Sequence, residues 1–435
     1  MCLPFIQEYL LFPFKMSIFP TCTVFADLIT TYPSWPALCS FLKSEEGGSL
    51  RIDENGTALA PGALALIRYV KGKSDLSKLH VRAFRSVVWD TLLHAPVSVT
   101  PFKSADGEGL TPDIAALPVS NFTVEQYPDG VMIGMFWDKS SAQWRIHTRS
   151  TLGAQCRYFS QTTTFADMFW TAVSAAHLNL DALDKKSTYT FVLQHPENRI
   201  VCPVVTPAIW LVERIEVHPD NRVSFHTVSD SPLVPARISA PSWSAVHERI
   251  MDWNARFRHN VQGVVIKDAT GRRWKIRTPE YNRVRQLRGN SARRDYIWLS
   301  AWKADTLRDY LRIYPEEKYL AETVINRWKQ ATAAVYHIYV DVFKARTLDK
   351  TLIPPKYRPL VYGLHGKFLE ELKPAGKTVD WKTAMTYMNS RDVAQMLFVI
   401  NWELRAAART VDAPPDIPFE PSSSAAAAPE PEAAH

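Results

Sequence analysis

Cysteine is scarce in this chain of 435 residues: Cys2, Cys22, Cys39, Cys156 and Cys202 are odd in number and scattered. There is no C-x-x-C pair and no H-E-x-x-H, so neither a disulfide framework nor a zinc site is signalled. A reducing, intracellular setting fits best. No apolar run is long enough to cross a bilayer. The opening segment, MCLPFIQEYLLFPFK, is apolar but carries Glu8 and two prolines. It lacks a basic start and a small-residue cleavage site, so no secretion signal is expected. Met16 offers an alternative start. There is no internal repeat. Asn55-Gly56-Thr57 and Asn121-Phe122-Thr123 match glycosylation sequons, tripeptides that are common by chance.

Against these absences, 46% of residues are hydrophobic and 11% aromatic. That composition buries sizeable cores, and the length suits two packed domains. The net charge of +7 is unevenly spread. Residues 271–295 carry Arg272, Arg273, Lys275, Arg277, Arg283, Arg285, Arg288, Arg293 and Arg294 against Glu280 and Asp295. The remainder of the chain is close to neutral. A local basic block with Trp274 and Tyr281 interleaved points to a polyanion surface, because bases stack on rings while phosphates meet cations. The bland alternative is a solvated basic face.

Residues 1–60 read as an N-terminal segment that packs on the first domain, with a helix and turns from residue 17. Residues 61–297 read as strand-rich. Apolar runs at Ala65–Val70, Ser86–Asp90 and Val97–Pro101 come first. Alternation over 120–150 puts Val131, Ile133 and Met135 on one strand face and Trp144, Ile146 and Thr148 on its partner, with Asp138–Ser141 as the turn. A helix is predicted over Phe165–Ala176, strands over Thr188–Leu193 and Ile209–Val217, and a helix over Ser242–Phe257. Two strands, Gly263–Lys267 and Trp274–Arg277, are joined by the Asp268–Gly271 turn. From 298 to 410 glycine is rare and amphipathic helices are predicted at Trp302–Tyr314, Lys318–Ala345, Val361–Leu372 and Arg391–Arg405. Trp328, Tyr336, Tyr339 and Phe343 form a stripe with core spacing. Residues 411–435 are a low-complexity Ala/Pro/Glu-rich tail, expected to be disordered. The fold class expected is α+β: an antiparallel-sheet domain followed by an all-α one.

One composite pattern carries chemistry. Val124-Glu125-Gln126-Tyr127-Pro128-Asp129-Gly130 has the frame of a nucleotidyl-transfer motif, hydrophobic-acid-x-Lys-x-Asp-Gly, with tyrosine at the lysine. Upstream lie Arg82-Ala83-Phe84-Arg85-Ser86-Val87-Val88-Trp89-Asp90 and Pro101-Phe102-Lys103. Downstream come Trp144–Ser150, Tyr189-Thr190-Phe191-Val192-Leu193 with Pro196-Glu197-Asn198-Arg199-Ile200-Val201, then Gln262-Gly263-Val264-Val265-Ile266, then Lys275-Ile276-Arg277. In this order they resemble the RNA ligase family of covalent nucleotidyltransferases, in its phage RNA ligase 1-like branch, and its relatives in large DNA viruses. The resemblance covers roughly residues 60–300.

The resemblance implies a ligase-type nucleotidyltransferase domain and a nucleotide pocket whose remnants are Tyr127, Asp129, Gly130, Arg149, Val192, Gln262, Lys275 and Arg277. It also implies what is missing. Covalent transfer needs a neutral lysine amine to attack the α-phosphate. Tyr127 stands at that position, and its phenol forms no phosphoramidate. Val192 and Gln262 stand where carboxylates are expected. No catalytic residue, metal site or cofactor is therefore expected; ATP and Mg enter only if activity is retained.

The expected function is a degenerate RNA ligase-like protein that binds RNA or nucleotide phosphates through the basic residues. Two alternatives stand beside it. One is an active ligase with a displaced nucleophile among Lys71, Lys73, Lys139 and Lys267. The other is a structural or virion protein reusing the fold, with protein partners at the helical domain or tail. A host cytoplasm or virion location is expected, without membrane contact. Gly72-Lys73-Ser74 ends like a P-loop, but Ile67 stands at its first glycine, so the segment is read as a loop. His147, His195 and Glu197-Asn198-Arg199 lie near the pocket and are read as structural.

Overall fold

A computed structural model describes residues 21–54, 64–104, 110–160, 162–226, 228 and 231–405. The opening segment, the Asn55 sequon and the tail lie outside the described residues. The chain divides into two units, 1–292 and 293–435.

In the first unit, α1 (Val24–Thr31) and α2 (Trp35–Lys43) precede a four-stranded antiparallel sheet. Its strands are β1 (Arg51–Asp53), β2 (Leu64–Arg68), β3 (Val87–Asp90) and β4 (Ala95–Val99), in that order, with α3 (Leu79–Ala83) between β2 and β3. Phe25, Leu38, Ile67, Phe84 and Trp89 form the core between the helices and one sheet face. A short helix, α4 (Pro112–Ala115), leads to β5 (Thr123–Gln126).

The hairpin β6 (Val131–Asp138) and β7 (Gln143–His147) turns where the Asp138 carboxylate caps the turn, accepting from Ser140 N at 2.9 Å. Next come α5 (Phe165–Ala175), β8 (Ser187–Gln194), β9 (Ala208–Val217) and β10 (Val223–His226). They complete a five-stranded antiparallel sheet of order β10-β9-β8-β6-β7. A capping box of Thr164 and Asp167 starts α5. Its Phe165, Met168 and Phe169 pack on Ile133, Met135, Phe191 and Leu193, the inward face that the alternation predicts.

Helix α6 (Trp243–Phe257) precedes β11 (Gly263–Lys267) and β12 (Arg273–Arg277), and α7 (Pro279–Arg288) closes the unit. A third antiparallel sheet has the order β12-β11-β5. Its Val124, Val264, Ile266 and Trp274 side chains share a core with Val246 and Ile250 of α6.

The second unit is helical: α8 (Arg294–Lys303), α9 (Leu307–Ile313), α10 (Lys318–Tyr339), α11 (Arg358–Lys367), α12 (Trp381–Asn389) and α13 (Val393–Ile400). The aromatic stripe is core, as its spacing predicts: Trp328 and Tyr339 are buried, with Tyr336 and Phe343 packed beside them. The single helix predicted over Trp302–Tyr314 is instead broken. Asp305 adopts φ 56° and Thr306 N closes on Ala301 O at 2.9 Å, so α8 ends and α9 begins. Buried Glu317 gathers donors from Trp298 Nε1 (2.7 Å) and Tyr310 Oη (2.6 Å).

Candidate functional site

Strand alternation puts one row of side chains on each face of the three-stranded sheet. Register pairs Val265 with Glu125 on one side and Lys275 on the other, and Gly263 with Arg277. One face therefore carries Glu125, Lys267, Arg273, Lys275 and Arg277. Tyr127 continues this face just past the end of β5, where its N–H donates to Gly263 O at 2.9 Å. Gly263 is needed here: at φ 136°, a Cβ would lie 2.0 Å from Ile276 O. The polar face looks onto the five-stranded sheet, because Met132, Val192 and Val212 line the same cavity as Tyr127, Arg273 and Lys275. That cavity encloses about 20 Å³.

Cations crowd this end of the face. Lys275 Nζ lies 5.3 Å and Arg277 Cζ 5.5 Å from the centre of the Tyr127 ring, within cation–π range. Burial holds the Lys275 ammonium well below its ordinary range, and Arg85, Arg273, Arg277 and Lys103 add to the effect. Burial likewise disfavours the charge on Arg85, with Arg273 and Arg149 beside it. Arg149 reaches the first sheet instead, donating from Nη2 to Tyr69 O at 2.8 Å and lying 4.2 Å over the Tyr69 ring. Arg273 is only 4% exposed, yet its Nε and Nη1 have no hydrogen-bond partner among the described residues.

The other end of the same face is neutralised. Lys267 Nζ lies 2.7 Å from Glu125 and 3.5 Å from Glu213, and it donates to Val212 O at 2.5 Å. Burial raises the Glu213 carboxyl against the pull of Lys267 and Arg273. These groups border a second cavity, of about 200 Å³, under Phe122, Phe225 and Val234.

Asp129 is a clamp. Its Oδ2 accepts from Val201 N (3.0 Å) and Cys202 N (2.9 Å), and its Oδ1 from Tyr281 Oη (2.7 Å). One carboxylate thus joins the loop after β5, the Pro196–Val201 element and α7. Thr278 caps α7, accepting from Tyr281 N at 3.3 Å, with Pro279 at the first helical position, and so aims Tyr281 at Asp129. Burial, with Asp129 beside them, pushes the Tyr281 phenol and the Cys202 thiol up. Gly130 permits the close approach, since a Cβ there would lie 2.3 Å from Leu193 O. In the amide orientation that satisfies both neighbours, Gln262 donates to Pro128 O (3.1 Å) and accepts from Arg277 Nε (3.2 Å). A carboxylate at 262 lacks the proton for the first of these bonds.

Of the residues the motifs single out, Tyr127, Val192 and Lys275 thus meet at one cavity, Arg277 faces the Tyr127 ring, and Gln262 bonds Pro128 and Arg277 beside it. Asp129 and Gln262 line a separate cavity of about 130 Å³ that Tyr127 also borders, and Arg149 turns to Tyr69 O. The basic block is dispersed. Arg272 pairs with Asp268 (2.6 Å), Arg283 with Glu280 (3.0 Å), Arg293 with Asp295 (3.0 Å) and Arg294 with Glu317 (3.7 Å). Arg288 is buried against the Phe159 ring at 4.3 Å, while Arg285 is exposed on α7. Of the cationic group, Arg85 carries no motif signal, whereas Arg273 has one that the Lys-x-Arg motif alone passes over. Arg273-x-Lys275-x-Arg277 alternates with strand period, which places three cations on one face.

The histidines are structural. His147 is fully buried; Nδ1 donates to Thr148 O (3.0 Å) and Nε2 takes the Ser98 hydroxyl (2.9 Å). Burial pushes it down to about 4. His195 Nδ1 accepts from Glu197 N at 3.3 Å, and Glu197 takes the Ser160 (2.7 Å) and Thr163 (2.8 Å) hydroxyls. The Lys73 loop is a turn stitched by Ser74, whose Oγ accepts from Val70 N at 2.8 Å. Among the described residues no cluster of three acidic, histidine or cysteine side chains is placed to hold a metal, and no helix is long and apolar enough to cross a membrane.

Comparison with known proteins returns only distant likeness. No protein-family model and no curated protein matches the chain. An archaeal ATP-dependent RNA ligase is 14% identical over 88% of this chain and 98% of its own, with a TM-score of 0.37. A protein assigned as an ATP-dependent DNA ligase from Aquifex aeolicus is 13% identical over 77% and 80%, at 0.35. The Naegleria gruberi RNA ligase is 13% identical over 44% and 59%, at 0.30. With these TM-scores below 0.5, function has to be argued from the residues.

Proposed function

We propose that this chain is an RNA ligase-like protein that has lost covalent adenylation and binds phosphates of RNA in the cationic cleft beside Tyr127. The observation that supports this most is the pairing of a lost nucleophile with retained cations. A phenol occupies the lysine's place at the end of β5, while Lys275 and Arg277 face its ring from β12. The charged groups that weigh most on Lys275 are all cationic. Such a site suits phosphate binding, not metal-assisted transfer. Relationship to the viral, RNA ligase 1-like branch is proposed from the sequence motifs alone.

Incubation with α-labelled ATP and magnesium is expected to yield no covalent adduct. Binding of single-stranded RNA is expected to weaken linearly in log affinity against log salt. Labelled protein that survives denaturation and maps to a lysine would overturn the proposal. RNA binding indifferent to salt, or absent, would favour a structural role.

A second reading, an active ligase with a displaced nucleophile, gains one specific observation. Lys267 is held by two carboxylates, whereas Lys275 is the lysine at the cavity, and its surroundings favour the neutral amine. If an adduct forms, Lys275→Ala decides whether that amine carries it.

A further inference from the structure

The separate cavity of about 130 Å³ has walls of one chemical kind. Tyr127, Pro128, Pro203, Trp210, Pro235 and Val261 line it, three prolines and two aromatic rings among them, with exposed Asn260 at the rim. Trp210 spends its indole N–H on Gln194 Oε1 at 2.9 Å, so the ring and not the donor is what it offers. Pro203 is exposed, and Val205, two residues on, is 88% exposed, so apolar surface continues outside the cavity. A nucleotide-sized ligand needs roughly 300 Å³ or more. One five-membered ring fits, since a cavity of about 150 Å³ takes benzene.

The charge around this groove is of one sign. The carboxylate on its wall, Asp129, is already met by three donors. Lys275 and Arg277 lie 5.3 and 5.5 Å from the centre of the Tyr127 ring. On the Asn260 side Arg258 is exposed, and burial, then Arg199, Arg283 and Arg258, hold the His259 imidazole down. A groove of rings and prolines flanked by cations fits an extended, acidic, proline-rich segment. Such a segment winds with three residues per turn, so prolines three apart share one face, and it docks on aromatic walls at little cost in entropy.

The chain carries one such segment, Asp412-Ala413-Pro414-Pro415-Asp416-Ile417-Pro418-Phe419-Glu420-Pro421. Pro415, Pro418 and Pro421 recur at every third residue. Asp412, Asp416 and Glu420 supply negative charge, and no lysine or arginine follows Arg409. We infer that residues 412–421 dock in the groove walled by Tyr127, Pro203 and Trp210 and compete there with RNA. The prolines meet the rings, and the acids face Lys275, Arg277 and Arg258. Docking of the segment stands on the groove alone; the competition rests on the proposed RNA site.

The test uses the full-length protein and a labelled peptide of residues 411–423. A chain carrying Pro415→Ala, Pro418→Ala and Pro421→Ala is expected to bind the peptide about tenfold tighter than wild type, because its tethered tail no longer fills the groove. The same chain is expected to bind single-stranded RNA about threefold tighter. The peptide with those three prolines replaced by alanine is expected not to bind. Trp210→Ala is expected to abolish peptide binding. Val205→Asp, at an exposed position, repels the acidic peptide and is expected to weaken it about fivefold with melting unchanged; it decides the matter if the tryptophan variant does not fold. Equal peptide affinity in wild type and tail variant, undiminished binding of the alanine peptide, indifference to Val205→Asp, or RNA affinity unmoved by the tail substitutions would each overturn the inference. RNA binding without any peptide binding sinks this inference alone. Peptide binding without RNA binding sinks the proposed function alone.

Discussion

The two ends of one sheet face carry similar charges and opposite solutions. At the Thr123 end, Lys267 sits between Glu125 and Glu213, at 2.7 and 3.5 Å, and the charges cancel. At the Tyr127 end, Arg85, Arg273, Arg277 and Lys103 all weigh on the buried Lys275. The first end is what buried charge looks like when it serves packing. Compensation, more than the presence of charge, separates the two ends.

The comparison breaks most readily at the neutralised end. Lys267→Met leaves two buried carboxylates facing each other, and chemical denaturation is expected to show a loss of roughly 3–5 kcal/mol. Lys275→Met at the other end is expected to leave stability unchanged or improved. An equal loss in both variants would erase the distinction.

His147 calibrates burial nearby. Its folded value of about 4 lies below the ordinary 6.5, so the unfolded chain takes up the proton first. Stability is therefore complete above pH 6.5 and falls as pH drops toward 4, by roughly 3 kcal/mol in all. Thermal melts of wild type and His147→Gln across that window check it: the variant is expected to show a flatter profile.

Asp129 tests the clamp behind Tyr127. Asp129→Ala strands the Val201 and Cys202 N–H groups and the Tyr281 hydroxyl, and a loss of about 2–3 kcal/mol is expected on unfolding. The smallest effect belongs to the cation-rich end itself. Arg277→Ala is expected to reduce the slope of log affinity for RNA against log salt by about 1. Arg283→Ala, whose charge is already met by Glu280, is expected to leave that slope unchanged.

Strand positions were readable because alternation is local. β11 spans Gly263–Lys267 as predicted, and the β6–β7 turn falls at Asp138–Ser141. Helix α7 has few apolar positions to give it helical periodicity, although Thr278-Pro279-Glu280 is a cap followed by a first-turn proline. Helix α12 was missed, although Asp380 caps it at Thr383 N. In the candidate site, the motif frame pointed to Tyr127, Lys275 and Arg277. It did not reveal that Asp129 bonds residues 72, 73 and 152 positions away, because such bonds leave no periodic trace.

Sequence by itself determined the α+β class and the absence of a lysine in the Asp-Gly frame. Those properties follow from residue identity and short-range spacing. Only the tertiary structure decided which charges cancel. Of the cations on one sheet face, Lys267 meets carboxylates and Lys275 meets cations, and that depends on which strand packs opposite. The physical reason is that a charge's energy is set by neighbours within a few ångströms and by exclusion of water, and both are products of folding.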